Sequence, residues 1–161
     1  MSQRRCMNCM SITSNYICEH CGMPSSRQNQ AHQLPVGTVL HGQYQVGRVL
    51  GQGGFGITYL GWDSYLDIPV AVKEFYPRHI VSRDCSVDRS IRCYMDGAEA
   101  SLNYGKERFL RVAKALAKLD SEPAIVRIRN YFPENDTAYI IMEYVPGVSL
   151  QNYVSDRKSV V

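Results

Sequence analysis

The chain has 161 residues, a net charge of +3 and a hydrophobic content of 45%, enough for one sizeable core with a small appendage. Its basic residues are interspersed with acidic ones, which argues against a clustered nucleic-acid-binding patch. No apolar stretch approaches the roughly 20 residues that span a bilayer, and residues 1–5 lack the apolar region of a signal peptide, so the expectation is a soluble, cytoplasmic chain without a membrane segment.

Four of the six cysteines fall in the first 21 residues, as Cys6-Met7-Asn8-Cys9 and Cys18-Glu19-His20-Cys21. Two CxxC pairs separated by eight residues are the ligand arrangement of a zinc ribbon, each short turn offering two thiolates to one tetrahedral ion. Residues 1–24 are too short to bury a core, so metal binding would supply their folding energy. Two disulfides are the alternative, disfavoured in a chain without a leader. A redox CxxC needs a surrounding α/β domain that 21 residues cannot provide. His20, inside the second pair, reads as a solvated spacer.

Residues 25–36 follow as a polar linker, flexible by composition, and 34–40 read as a short strand or arm. Next comes a glycine-rich turn, Gly51-Gln52-Gly53-Gly54-Phe55-Gly56. Glycines at GxGxxG spacing let backbone N–H groups approach phosphate oxygens, because no Cβ stands in the way. A dinucleotide-binding loop must open into a helix, whereas Ile57, Thr58, Tyr59 and Leu60 suit a strand. A Walker A loop needs Lys and Ser/Thr where this chain has Ile57 and Thr58. The reading that remains is a hairpin between strands at 44–50 and 57–62, closing over a nucleotide, with its cation delivered by a third strand, Val70-Ala71-Val72-Lys73.

These motifs resemble the N-terminal lobe of a bacterial, eukaryotic-like Ser/Thr protein kinase. The family's GxGxxGxV is matched through Gly56, with Thr58 in place of valine, and its VAIK by Val70-Ala71-Val72-Lys73. Ala138 to Val145 resemble the fifth strand and hinge, and Gly147-Val148-Ser149-Leu150 the start of the next helix. The expected fold is therefore α+β: a kinase N-lobe of a five-stranded antiparallel sheet and one main helix at 37–155, a small N-terminal zinc ribbon, and a tail at 156–161.

The resemblance implies ATP as the ligand. Lys73 would hold its α- and β-phosphates, and the amides of Gln52, Gly53, Gly54, Phe55 and Gly56, with Gly51 and Thr58, would enclose the rest. Leu50, Ala71 and Met142 match the adenine-pocket walls, with Met142 as gatekeeper. The backbone of Glu143 and Val145 matches the hinge positions that pair with the adenine edge.

The helix is expected at 106–119, where Phe109, Val112, Ala113 and Leu116 make an apolar stripe that would face the sheet. The family places there a glutamate that pairs with the lysine, and this chain has Val112 at that position. The connection 74–104 is long, and its alternation around Cys85 and Cys93 suggests a hairpin or short strand pair, with two free cysteines favoured over a metal or disulfide pair. Near 125–129, arginines alternate with Ile125, Val126 and Ile128, the pattern of a strand with one wet face. The HRDxxxxN and DFG motifs, which supply the catalytic base and the Mg²⁺ ligands, do not occur in the 161 residues. Two functions follow as expectations: the ATP-binding lobe of a Ser/Thr protein kinase, inactive as this chain alone and completed by a C-lobe, or a non-catalytic kinase-like module that binds protein partners.

Overall fold

A computed structural model describes residues 4–147. Residues 148–150 of the helix expected to open at 147–150, and the tail at 156–161, lie outside the described residues. Two strands at the N-terminus, β1 (Arg4–Arg5) and β2 (Ile12–Thr13), pair antiparallel as a small ribbon. A six-stranded antiparallel sheet follows, built from β3 (Val39–Leu40), β4 (Tyr44–Gln52), β5 (Gly56–Asp63), β6 (Ile68–Phe75), β9 (Ile128–Glu134) and β10 (Thr137–Glu143) in the order β3-β4-β5-β6-β10-β9. The five expected strands are present, and the two-residue β3 adds a sixth at the edge. Between β6 and the helix, β7 (Val81–Ser82) and β8 (Arg92–Cys93) form a separate pair. A short strand pair is thus present in the connection, with Cys93 in β8 and Cys85 between the two strands, and both cysteines are free. β9 begins at Ile128, so the strand expected from residue 125 starts three positions late.

Local chemistry sets the turns. Between β9 and β10 only Asn135 and Asp136 intervene, both with positive φ (54° and 58°), the two-residue hairpin geometry that Asn and Asp tolerate best. Between β5 and β6, the buried Asp63 carboxylate accepts the amides of Tyr65 and Leu66, an Asx-type turn.

The main helix, α1 (Glu99–Leu116), runs on into a short 3-10 turn at Ala117–Leu119. It starts seven residues before the expected position and runs through Gly105, which is a close-packing site. A Cβ at Gly105 would lie 2.5 Å from Cζ of Phe75, so the helix can sit against the β6 ring only where the side chain is missing. Phe75 and Phe109 then meet as tilted rings at a 5.5 Å centroid distance. The expected stripe is corrected in one residue: Ala113 is fully buried and Phe109 packs against the core, but Val112 is 49% exposed, and Leu102 is buried instead. Among the described residues, no helix is long and apolar enough to cross a membrane.

Strand alternation divides the sheet into two faces. Ile57, Tyr59, Val70, Val72, Glu74, Tyr139 and Ile141 share one face and are all fully buried. Tyr76, Val81 and Ile91 from the connection, and Leu34 from the segment before β3, join the same core. The polar composition of 25–36 therefore does not leave its end free. Leu34 is fully buried, its amide donates to Tyr59 Oη at 3.0 Å, and Asn29 Nδ2 donates to the carbonyls of Leu34 and Gly47.

At the centre of this buried face, Glu74 forms an ion pair with Arg83, and both side chains are fully inaccessible. Tyr59 Oη donates to Glu74 Oε2 at 2.8 Å and Tyr139 Oη to Glu74 Oε1 at 3.0 Å. The other arginine donors reach the carbonyls of Arg89 and His32. Burial alone would lower the Arg83 pKa, but the Glu74 carboxylate more than offsets it and holds it above the ordinary value. Burial, then the Glu74 charge, raises the Tyr59 and Tyr139 phenols.

The ribbon rests on β4 and β5. Arg48 donates its amide to the Met7 carbonyl at 2.9 Å and its Nε to the Asn8 carbonyl at 2.8 Å. The Arg5 guanidinium lies 3.3 Å from the Trp62 ring centroid. A Cβ at Gly47 would fall 2.3 Å from Met10 Cε and 2.5 Å from the Met7 carbonyl oxygen. Gly47→Ala should therefore push the ribbon from the sheet and destabilise the chain by about 1–3 kcal/mol, read as a lowered denaturation midpoint; an unchanged midpoint would mean that the ribbon moves freely.

Candidate functional site

The face of β6 opposite the buried core carries Ala71 and Lys73. Register puts Thr58 of β5 and Ile140 of β10 opposite Lys73, and Leu60 and Met142 opposite Ala71. The strand that sends Glu74 into the core therefore turns its neighbour Lys73 the other way, which follows from the period of two. The β4–β5 hairpin closes beside them, with Gln52 paired to Ile57 and the Gly53 amide bonded to the Gly56 carbonyl at 2.9 Å.

Under this hairpin lies a cavity of about 900 Å³. Gly51, Gln52, Gly53, Gly54, Phe55, Gly56, Thr58, Lys73 and Met142 all line it, and the cleft side of α1 forms its far wall. Val112 is on that wall, in the same cavity as Lys73. Lys73 has no ion-pair partner among the described residues.

The other expected residues sit at the margin. Leu50 and Ala71 do not line the cavity, although Ala71 lies beside Met142 in register. Glu143 ends β10 with its amide bonded to the Arg127 carbonyl at 3.0 Å, and Val145 is exposed beyond it. A Cβ placed on Gly51 or Gly53 would meet nothing within 4 Å. Both glycines line the cavity, and a backbone without side-chain obstruction is what a phosphate needs to approach.

The hairpin is also braced from outside. Phe55 is 73% exposed and meets His79 edge-on, and its carbonyl accepts the Tyr76 amide at 2.9 Å. Gln52 Oε1 accepts from Gln33 Nε2 at 2.8 Å and is 3.1 Å from His32 Nε2. Sequence reasoning missed these braces, because they join segments about 20 residues apart with no motif of their own.

A second cluster lies in the ribbon. The sulfurs of Cys6, Cys9, Cys18 and Cys21 all fall within 4.8 Å of one another, with Cys6–Cys21 and Cys9–Cys18 each at 3.7 Å. Zn–S bonds of 2.3 Å give a tetrahedral edge of about 3.8 Å, so the spacing fits one ion. Backbone turns set the pairs, with the Met10 amide bonded to the Cys6 carbonyl and the Gly22 amide to the Cys18 carbonyl, each at 2.8 Å. Asn8 Nδ2 donates to Cys21 Sγ at 3.5 Å, a contact that favours a thiolate there. Burial pushes the Cys6 thiol up to about 12. Burial acts the same way on Cys21, but hydrogen bonds from Met23, Asn8 and its neighbouring cysteines prevail and bring it down to about 7. His20 is exposed and outside the cluster.

A curled antiparallel sheet carrying a glycine-rich hairpin, a strand lysine and one packed helix defines a kinase-like N-terminal lobe. The protein kinase domain model matches residues 44–161. The chain belongs to the protein kinase family. It is 35% identical over 120 residues to the serine/threonine-protein kinase PrkC of Bacillus subtilis, covering 74% of this chain and 15% of that protein. It is 30% identical over 166 residues to the serine/threonine-protein kinase PknG of Mycolicibacterium smegmatis, covering 93% of this chain and 18% of that protein. The chain thus spans less than a fifth of either relative. Among solved structures, the apo form of PpkA-294 superposes with a TM-score of 0.73 at 26% identity, over 80% of this chain and 44% of that one.

Proposed function

We propose that this chain is the ATP-binding lobe of a Ser/Thr protein kinase. The observation that carries the reading is the single cavity that brings the glycine hairpin, Thr58, Lys73 and Met142 together. In such a lobe Lys73 fixes the phosphates as a point charge, the hairpin amides enclose them, and the β10 backbone beyond Met142 takes the adenine edge. ATP with Mg²⁺, when bound, supplies the phosphoryl group that a complete kinase transfers to a protein hydroxyl. We further propose that Cys6, Cys9, Cys18 and Cys21 hold a structural zinc ion, as the tetrahedral spacing supports.

The reading is tested by Lys73→Met. Loss of one charge-assisted contact to phosphate should weaken ATP binding by about tenfold or more, measured by titration calorimetry, and leave adenosine binding unchanged. Equal ATP affinity in both proteins would remove the cleft as the nucleotide site. A second reading, a non-catalytic kinase-like module with a protein partner, is favoured by one feature: Val112 stands in the cleft where a carboxylate would orient Lys73.

A further inference from the structure

The cleft wall has a second cation that the motif comparison does not use. Arg108 lies one helical turn before Val112, at the i, i+4 spacing that puts both on one face of α1, and it lines the same cavity as Lys73 and the glycine hairpin. Among the described residues, none that lines that cavity is Asp or Glu. Neither Lys73 nor Arg108 has an ion-pair partner among the described residues.

Two cations and no carboxylate make a wall of one sign. Magnesium takes hard oxygen ligands, and proteins bind it through carboxylates, which this wall does not offer. Complexing ATP with the ion also removes two units of negative charge that the two cations would otherwise attract. Guanidinium is suited to phosphate, since its planar fork can bridge two oxygens.

We propose that Arg108 is a phosphate-binding residue of this cleft, and that Lys73 and Arg108 together make the lobe bind metal-free ATP in preference to its magnesium complex. The proposal rests on the reading of the cleft as an ATP site. Val112 has a place in it: an apolar side chain leaves Lys73 un-neutralised, so the full charge of both residues is directed at the polyphosphate.

The test is calorimetric titration of the 161-residue chain with ATP in EDTA, ATP in excess MgCl₂, inorganic triphosphate and adenosine. The wild-type chain should bind ATP at least threefold more tightly in EDTA than in Mg²⁺, as expected for an attraction set by ligand charge. Arg108→Ala should weaken ATP and triphosphate by about tenfold and leave adenosine unchanged, and Arg108→Lys should recover most of the loss. Val112→Glu, which sets a carboxylate beside Lys73 and offsets part of the wall's positive charge, should narrow the preference for metal-free ATP.

Tighter binding in Mg²⁺ by the wild-type chain, or unchanged ATP affinity in Arg108→Ala, overturns the proposal while the ATP reading stands. Absence of binding by both ATP and adenosine overturns both. Arg108 is exposed, so its variants should fold, and adenosine binding checks that they do.

Discussion

Arg83→Met should destabilise the lobe by about 3–5 kcal/mol, the usual consequence of removing one partner of a buried ion pair. The size follows from what would be left behind. Glu74 is fully inaccessible, and without Arg83 its carboxylate keeps only the two phenol donors of Tyr59 and Tyr139. Hydrogen bonds to a charged group contribute about 1.5–3 kcal/mol each, which softens the loss but does not replace a counter-charge.

The double variant Glu74→Gln, Arg83→Met should recover much of the stability, because it removes both desolvated charges together. Chemical denaturation at neutral pH would read both effects as shifts in midpoint with little change in slope. A single-variant loss under about 1 kcal/mol, within the range of exposed ion pairs, would show that the pair is solvated in the folded chain. Arg83 comes from the connection between β6 and α1, and its Nη1 also reaches the His32 carbonyl at 3.2 Å. The same variant should therefore loosen both segments, raising amide exchange near residues 32–34 and 83–91 before the sheet itself opens.

This network marks where sequence reading stopped. The hairpin and the lysine strand are legible because their determinants are local: glycines at fixed spacing, a period of two, and one cation among apolar residues. Glu74 follows Lys73 directly, and alternation alone sends it to the opposite face, so its burial could have been suspected. Its partner could not, since Arg83 is fixed by a loop whose path is set by tertiary packing.

Gly105 shows the same limit. Nothing local in the sequence marks it as a packing site, and only the Phe75 ring against it shows why a glycine sits in this helix. For Val112, the family pattern gave a position in the cleft and hydrophobicity gave a position in the core. Val112 is half-exposed and lines the cavity, so it is not part of the core. Arg108 could have been found from the same helical arithmetic, one turn earlier, had the search been for charge and not for a missing glutamate.

Removing the metal from the zinc-loaded chain should unfold residues 4–25 and leave the six-stranded sheet folded. The ribbon has two strands of two residues each, and Met10, Thr13 and Cys18 are its buried side chains. Hydrophobic burial on that scale cannot offset the entropy of ordering about 20 residues at about 1–2 kcal/mol each. In comparable small sites the free energy of zinc binding is itself folding free energy, so losing the ion removes the main force that orders the segment.

The readout is built into the interface. Trp62 is the single tryptophan of the chain, and the Arg5 guanidinium lies over its ring. Chelation should therefore change Trp62 emission in step with zinc release, while the unfolding transition of the sheet persists at a lower midpoint, because Arg48 and Gly47 lose their contacts to Met7, Asn8 and Met10. Cys18→Ser, at the buried ligand, should give the same spectrum without chelator. Unchanged emission after complete zinc release would mean that the ribbon is held by its contacts with β4 and β5, and not by the ion.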